Sequence, residues 1–117
     1  MAGYVWCRLC RGDMTSRFRR LERFGERLVG LLGTQPSAEP VMLCRCESIH
    51  TFGMKYAIDV AFVRRDGYVL LSKRSLGPCR LLTAYGSYYV LERPASQEPW
   101  PTEGALVELM WTEDERE

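Results

Sequence analysis

The sequence predicts a mainly β fold: a compact β-sandwich or jelly-roll-like barrel with one short helix near its N-terminus. Many short segments alternate apolar and polar residues at the two-residue period of strands. Turn residues separate these segments at frequent intervals, and only one segment has helical spacing. Strands in series with a single helix are typical of such mixed β folds. A chain of 117 residues fits one domain, residues 1–117, with one core.

The N-terminal third contains one predicted strand and the predicted helix. Residues 4–9 alternate between apolar and polar side chains and are then broken by Gly12-Asp13. Thr15 or Ser16 could cap a helix through its hydroxyl group. Residues 16–32 are predicted to form this helix, because a set of apolar residues falls on or near one stripe: Phe18, Leu21, Leu28 and Leu32. Gly33 would end it, and residues 34–40 are predicted to form a loop.

The middle of the chain contains the clearest hairpin. Residues 58–63 are the clearest predicted strand, in which Ile58, Val60 and Phe62 face one way and the residues between them face the other. Residues 68–73 are the predicted partner strand. Asp66-Gly67 between them is typical of a two-residue hairpin turn, in which both positions require positive φ. Residues 41–46 and 48–52 are predicted to be two shorter strands before this hairpin.

The last third predicts three further strands, at residues 80–83, 87–92 and 106–111. Residues 94–101 contain three prolines, which exclude a regular element there. Residues 112–117 form an acidic C-terminal tail.

Composition argues against nucleic acid and membranes as partners. The net charge is +1, so no overall field would attract phosphates. Residues 1–30 carry seven arginines against three acids, and residues 88–117 carry eight acids against two arginines. Such uneven charge is usually a solvated surface. No apolar run approaches the ~20 residues of a membrane span, and the N-terminus does not resemble a signal peptide. We therefore expect a cytoplasmic protein.

The five cysteines are expected to be thiols rather than a disulfide framework, since an odd count suits a reducing compartment. Cys7-x-x-Cys10 and Cys44-x-Cys46 raise the alternative of a zinc site. Cys7 and Cys10 would face opposite sides of a strand, and one intervening residue is too few for the second pair. The favoured interpretation is that these cysteines are buried thiols that pack in the core. No metal and no cofactor are expected.

The segment 46–63 holds the most constrained polar residues. His50 is the only histidine, Thr51 follows it, and Asp59 is a lone acid in an apolar run. A buried carboxylate needs hydrogen-bond partners. If Asp59 met His50 across neighbouring strands, it would fix the imidazole tautomer, and Arg80 could clamp an anion.

Three functions remain open for this cluster. One is a binding site for a small anionic or polar ligand, formed by His50, Thr51, Asp59 and Arg80. The second is a purely structural network in a protein–protein interaction module. The third is a hydrolase or a metal-binding protein, and the hydrolase is weaker because no G-x-S-x-G pattern is present. The sequence leans away from an enzyme and names no catalytic residue.

Two further residues are candidates for a pocket rim. Trp100 lies between two prolines, so its indole could cover a pocket or dock a partner protein, or it could pack as a loop anchor. An apolar surface patch around Trp100 would favour the interaction module. Met54 follows Gly53 in the segment that carries His50.

Residues 27–111 resemble the DUF192 family, also called UPF0127. The resemblance rests on short motifs spread over about three quarters of the chain: residues 30–33 (GLLG), Cys46, residues 49–54 (IHTFGM), residues 58–62 (IDVAF), residues 66–70 (DGYVL), residues 78–80 (PCR) and residues 90–92 (VLE). It implies a small prokaryotic domain with a β-sandwich or jelly-roll-like fold and a short helix near the N-terminus. The family brings no established activity.

Overall fold

A computed structural model describes residues 3–8, 15–23 and 30–111, and nine strands occur in this part of the chain. In chain order they are β1 (Gly3–Arg8), β2 (Thr15–Leu21), β3 (Val41–Cys44), β4 (Ser48–His50), β5 (Ile58–Val63), β6 (Val69–Leu76), β7 (Leu81–Thr83), β8 (Tyr89–Pro94) and β9 (Glu108–Trp111). The strand predictions from residue 41 onwards are confirmed, with shifts of a few residues at some ends.

Seven strands form one mixed sheet in the order β6-β5-β8-β3-β2-β1-β9, and β4 and β7 form a separate two-stranded ribbon. All neighbours in the large sheet are antiparallel except β2 and β3, which are parallel. The sheet curls into a half-barrel. A bridge between Tyr68 and Leu106 joins the chain before β6 to the chain before β9, so the two ends of the sheet lie close together.

Both faces of the curled sheet are covered by apolar side chains, because strand residues alternate between two clusters. The first cluster includes Ala61, Val63, Leu91 and Trp100. The second includes Val60, Phe62, Val90, Leu31 and Ile49. The odd-numbered residues of β5 therefore face the first cluster and the even-numbered ones face the second. The same alternation assigns each polar residue of β5 and β8 to one face.

The predicted helix over residues 16–32 is wrong for its first part, because residues 15–21 form the strand β2. Phe18 packs in the first cluster and Leu21 in the second. Residues three apart lie on the same side of a helix but on opposite faces of a strand, so this spacing fits both structures. Residues 24–29 of the predicted helix lie outside the described residues. No helix that could cross a bilayer occurs within the described ranges.

The β5–β6 hairpin is confirmed, but its turn is longer than two residues. Arg64 N–H donates to Tyr68 O and Gly67 N–H donates to Arg64 O. Gly67 has φ +97°, whereas Asp66 is not in the positive-φ region. A type I turn followed by a left-handed glycine gives this geometry. The carboxylate of Asp66 accepts hydrogen bonds from Arg64 and Tyr68 instead.

Gly67→Ala is expected to destabilise the protein by about 2–3 kcal/mol. A Cβ atom at this position would lie 2.3 Å from the backbone oxygen of Val107. The left-handed conformation alone costs a side chain about 1–2 kcal/mol, and the clash with backbone adds to it. Denaturant unfolding monitored by tryptophan fluorescence measures the loss.

Gly33→Ala is the matched control for this prediction. Gly33 also has positive φ, +80°, but a Cβ there meets nothing within 4 Å. Its replacement should therefore cost only the backbone strain, about 1 kcal/mol. Equal losses in the two variants would show that the contact between Gly67 and Val107 carries no additional free energy.

Candidate functional site

Asp59 is completely buried on the first face of the sheet, where its carboxylate has three partners. Oδ1 accepts a hydrogen bond from Ser75 N–H at 2.9 Å. Oδ2 accepts one from Arg93 Nε at 2.8 Å and one from Ser96 N–H at 3.3 Å. Asp59 and Arg93 are cross-strand partners in the β5–β8 register, which explains how two charged residues meet inside an apolar sheet.

Arg93 extends this network into the proline-rich loop 95–101. Its Nη1 donates to Pro99 O and its Nη2 to Glu98 O. Its guanidinium lies 4.5 Å from the ring centroid of Trp100, and the indole N–H donates to Val60 O. Trp100 is therefore a buried anchor and not the pocket rim that its position between two prolines suggested. The Asp59–Arg93 pair fixes the loop on the sheet.

His50 does not meet Asp59. His50 is exposed at the end of β4, and its ring stacks on Phe52 with centroids 5.2 Å apart. Its Nδ1 accepts the Phe52 N–H at 3.3 Å, which places the proton of the neutral imidazole on Nε2. His50 lines a cavity with residues of the second face, whereas Asp59 faces the first cluster. The sheet thus separates the two residues that the sequence predicted to pair.

Thr51 has a structural role that uses all its polar atoms. Its Oγ1 donates to Gly77 O and accepts from Arg80 N–H, both at 2.8 Å. Its N–H donates to Arg80 O, and its carbonyl accepts from Cys79 N–H and Met54 N–H. Thr51 thereby ties the turn before β7 to the end of β4, directly after His50. Arg80 joins this turn through its backbone, while its side chain is exposed.

A small cavity of about 60 Å³ lies on the second face of the sheet, with His50 at its exposed edge and Glu92 in its wall. We call it the Glu92 cavity. Its other lining residues are mainly apolar: Gly30, Leu31, Leu32, Leu43, Ser48, Ile49, Met54 and Ile58. Met54, a rim candidate from the sequence, also lines an adjoining cleft with Thr34, Lys55 and Tyr56.

Glu92 is the most perturbed acid near this cavity. It lies in the interior of β8, opposite Val41 and Val60 on the two neighbouring strands, and is 4 % exposed. Burial among apolar groups raises the pKa of its carboxyl to about 7, and a hydrogen bond from the Leu31 backbone partly opposes this. In the described part of the chain this is its single hydrogen-bond partner, although a carboxylate can accept several.

Gly30 leaves room for this carboxyl. It has φ +51°, and a Cβ atom there would stand 3.0 Å from Oε1 of Glu92. The backbone at Gly30 and Leu31 therefore lies close to the Glu92 carboxyl, and a side chain at position 30 would crowd it. The result is a buried acid with a raised pKa, in a cavity with an imidazole at its edge.

Glu92 was not among the site residues predicted from the sequence, although a signal was present. Like Asp59, Glu92 is an acid in an apolar strand, directly after Val90 and Leu91, and its burial requires hydrogen-bond partners. The predicted strand ended at residue 92, where an acid is unremarkable. The actual strand continues to Pro94, which places Glu92 in its interior.

The cysteines provide no metal centre in the described residues. Cys7 and Cys44 are buried in the first cluster, and Cys46 Sγ donates to Ser48 O. Cys10 lies outside the described residues. Among residues 3–8, 15–23 and 30–111, no group of three or more His, Cys, Asp or Glu side chains could hold a metal ion.

Comparisons with known proteins show the fold and leave the activity open. No family model and no curated protein matches the sequence. The chain is similar to the crystal structure of a candidate transcription regulator from Sinorhizobium meliloti 1021, with a TM-score of 0.77, 16 % identity, and 93 % and 94 % of the two chains covered. It is also similar to a protein of unknown function from Novosphingobium aromaticivorans DSM 12444, with a TM-score of 0.72, 20 % identity, and 92 % and 84 % covered. The chain therefore shares the half-barrel fold of these two proteins.

Proposed function

We propose that this chain is a binding domain for a small polar ligand, which enters the Glu92 cavity past His50. The observation that carries the proposal is the pairing of a buried, under-bonded acid with an apolar cavity. Ligand sites typically combine an apolar lining with a few polar groups and a perturbed pKa. Glu92 offers a carboxyl group at the inner wall, and His50 offers Nε2–H at the mouth.

The proposed site differs from the one expected from the sequence. His50 and Met54 belong to it, and Thr51 positions them. Asp59 and Trp100 belong to the Asp59–Arg93 pair and its loop on the other face, and Arg80 lies at the surface beyond Thr51. The ligand is therefore polar rather than anionic, because no arginine lines the Glu92 cavity in the described part of the chain.

We further propose that the chain is a cytoplasmic DUF192-type domain. In support, two of the motifs that carry the resemblance meet in the Glu92 cavity: Leu31 N–H in GLLG donates to Glu92 in VLE. A third motif supplies His50.

A thermal-shift screen of small polar metabolites tests the binding function. We expect at least one compound to stabilise the protein by about 3 kcal/mol at a hundredfold excess over its Kd, and His50→Ala to reduce this shift. Tyr85→Ala, which changes an exposed ring outside the cavity, is the matched control. Compounds that shift wild type and the His50→Ala variant equally would contradict the proposed site.

A protein-interaction module is the second candidate function. Phe52 is 52 % exposed and Leu81 is 65 % exposed, and they flank His50 on the β4–β7 ribbon. Trp100, around which an apolar surface patch would have favoured this function, is buried. A double replacement of Phe52 and Leu81 by serine should leave the small-molecule shifts intact, because neither residue lines the cavity. Loss of the shifts would instead indicate that the small molecules contact this surface.

A further inference from the structure

We propose that the Glu92 cavity recognises a small organic ammonium group, which pairs with the Glu92 carboxylate. The inference rests on the proposed binding function and names the chemical class of the ligand. It follows from the contacts of the acid, the size of the cavity and the surrounding charges.

The acid is built into the cavity wall and lacks a cationic partner among the described residues. Glu92 is 4 % exposed, and the donor found for it there is the neutral Leu31 N–H. The other buried acid, Asp59, has Arg93 as its counter-ion. An ionised carboxylate in an apolar wall is costly unless a cation or several donors reach it. A ligand ammonium would supply the positive charge and, through its N–H groups, the hydrogen-bond donors.

Other ligand charges fit less well. A metal ion needs more ligands than one carboxylate and one imidazole, and no larger group of metal-binding side chains occurs in residues 30–111. An anion would be repelled by ionised Glu92. The volume of about 60 Å³ holds only a few non-hydrogen atoms, since a water needs about 10–15 Å³ by the same measure. A primary ammonium with a short alkyl stem fits this volume.

The remaining lining supports the same ligand shape. Leu43, Met54 and Ile58 are buried apolar neighbours for an alkyl stem. At the mouth, His50 Nε2–H can donate to an oxygen farther along the ligand. The ligand class is therefore a small amine whose ammonium enters first and whose other end is a hydrogen-bond acceptor.

The test is an NMR titration of the full chain with ethylammonium chloride, using sodium acetate and ethanol as anionic and neutral probes. A three-atom ligand binds at millimolar concentration at best, which suits chemical-shift measurements. We expect ethylammonium to shift the amides of Leu31 and His50 and the side-chain carboxyl carbon of Glu92. Its affinity should rise about tenfold between pH 6 and pH 8, as the carboxyl ionises around pH 7.

Glu92→Gln should abolish ethylammonium binding, whereas Glu103→Gln, which changes an exposed carboxylate outside the cavity, should leave it unchanged. Binding that is equal in wild type and the Glu92→Gln variant, or equal for ethanol and ethylammonium, would overturn the inference. If the Glu92→Gln variant does not fold, the pH dependence in wild type decides alone, and a flat profile counts against the ammonium. His50-dependent ligands without an ammonium group would refute this inference and leave the binding function standing.

Discussion

Asp59→Ala is expected to lower the free energy of unfolding by about 3–5 kcal/mol. The change leaves the guanidinium of Arg93 buried without a counter-ion and removes the acceptor of Ser75 N–H and Ser96 N–H. Breaking a buried ion pair by removing one partner has a cost of this size. Urea unfolding measures the loss of stability. The amide hydrogens of the loop 95–101 should also exchange faster in the variant than in wild type.

Two further variants separate the charge from the packing. Asp59→Leu combined with Arg93→Met removes both charges and should lose less stability than the sum of the single changes. Asp66→Ala, which breaks the exposed pair with Arg64, should have a much smaller effect because water screens it. A loss for Asp59→Ala no larger than that for Asp66→Ala would contradict the role of the buried pair.

Glu92→Gln is expected to remove a large pH dependence from the stability of the protein. The pKa of Glu92 is about 7 in the folded state, against 4.5 for an ordinary glutamate. The folded state therefore binds the proton more tightly than the unfolded state. In wild type this contribution is fully present below about pH 4.5, declines as the pH rises, and is lost above about pH 7.

The size of this effect follows from the two pKa values. At 1.36 kcal/mol per pKa unit the lost contribution is roughly 3 kcal/mol. Between pH 4.5 and pH 8, the stability of the Glu92→Gln variant should rise by that amount relative to wild type. Guanidinium unfolding at a series of pH values measures the difference, and His50 cancels because both proteins contain it. Parallel stability curves for the two proteins would show that folding does not raise the pKa of Glu92.

Most strands could be predicted from the sequence because they are short apolar or β-branched runs bounded by turn residues. The hairpin of β5 and β6 is the clearest case, since the apolar run of β5, buried at all six positions, is followed by Asp66-Gly67. β2 could not be predicted in the same way, because Phe18 and Leu21 serve opposite clusters while arginines occupy the positions between them. Arg19 pairs with Glu39 and Arg20 pairs with Glu22. These ion pairs lower the cost of placing two arginines on a central strand.

The site could be predicted only in part, for a reason of geometry. The sequence indicates which polar residues are hard to bury, and Asp59 and His50 meet that description. It does not indicate which face of a curled sheet each one occupies. The counter-ion of Asp59 is Arg93, which lies 34 positions away in the sequence. Glu92 belongs to the proposed site because Gly30 and Leu31, about sixty positions earlier in the sequence, lie beside it.

The parallel pairing of β2 with β3 has a consequence for testing the proposed ligand site. Two parallel neighbours cannot be joined by a tight turn, so β2 and β3 need a long connection. The described residues of this connection include Gly30 and Leu31, which lie beside the acid in β8. Under the proposed function, exchanging residues 30–36 between proteins of this architecture should change which ligands bind while the underlying sheet stays intact.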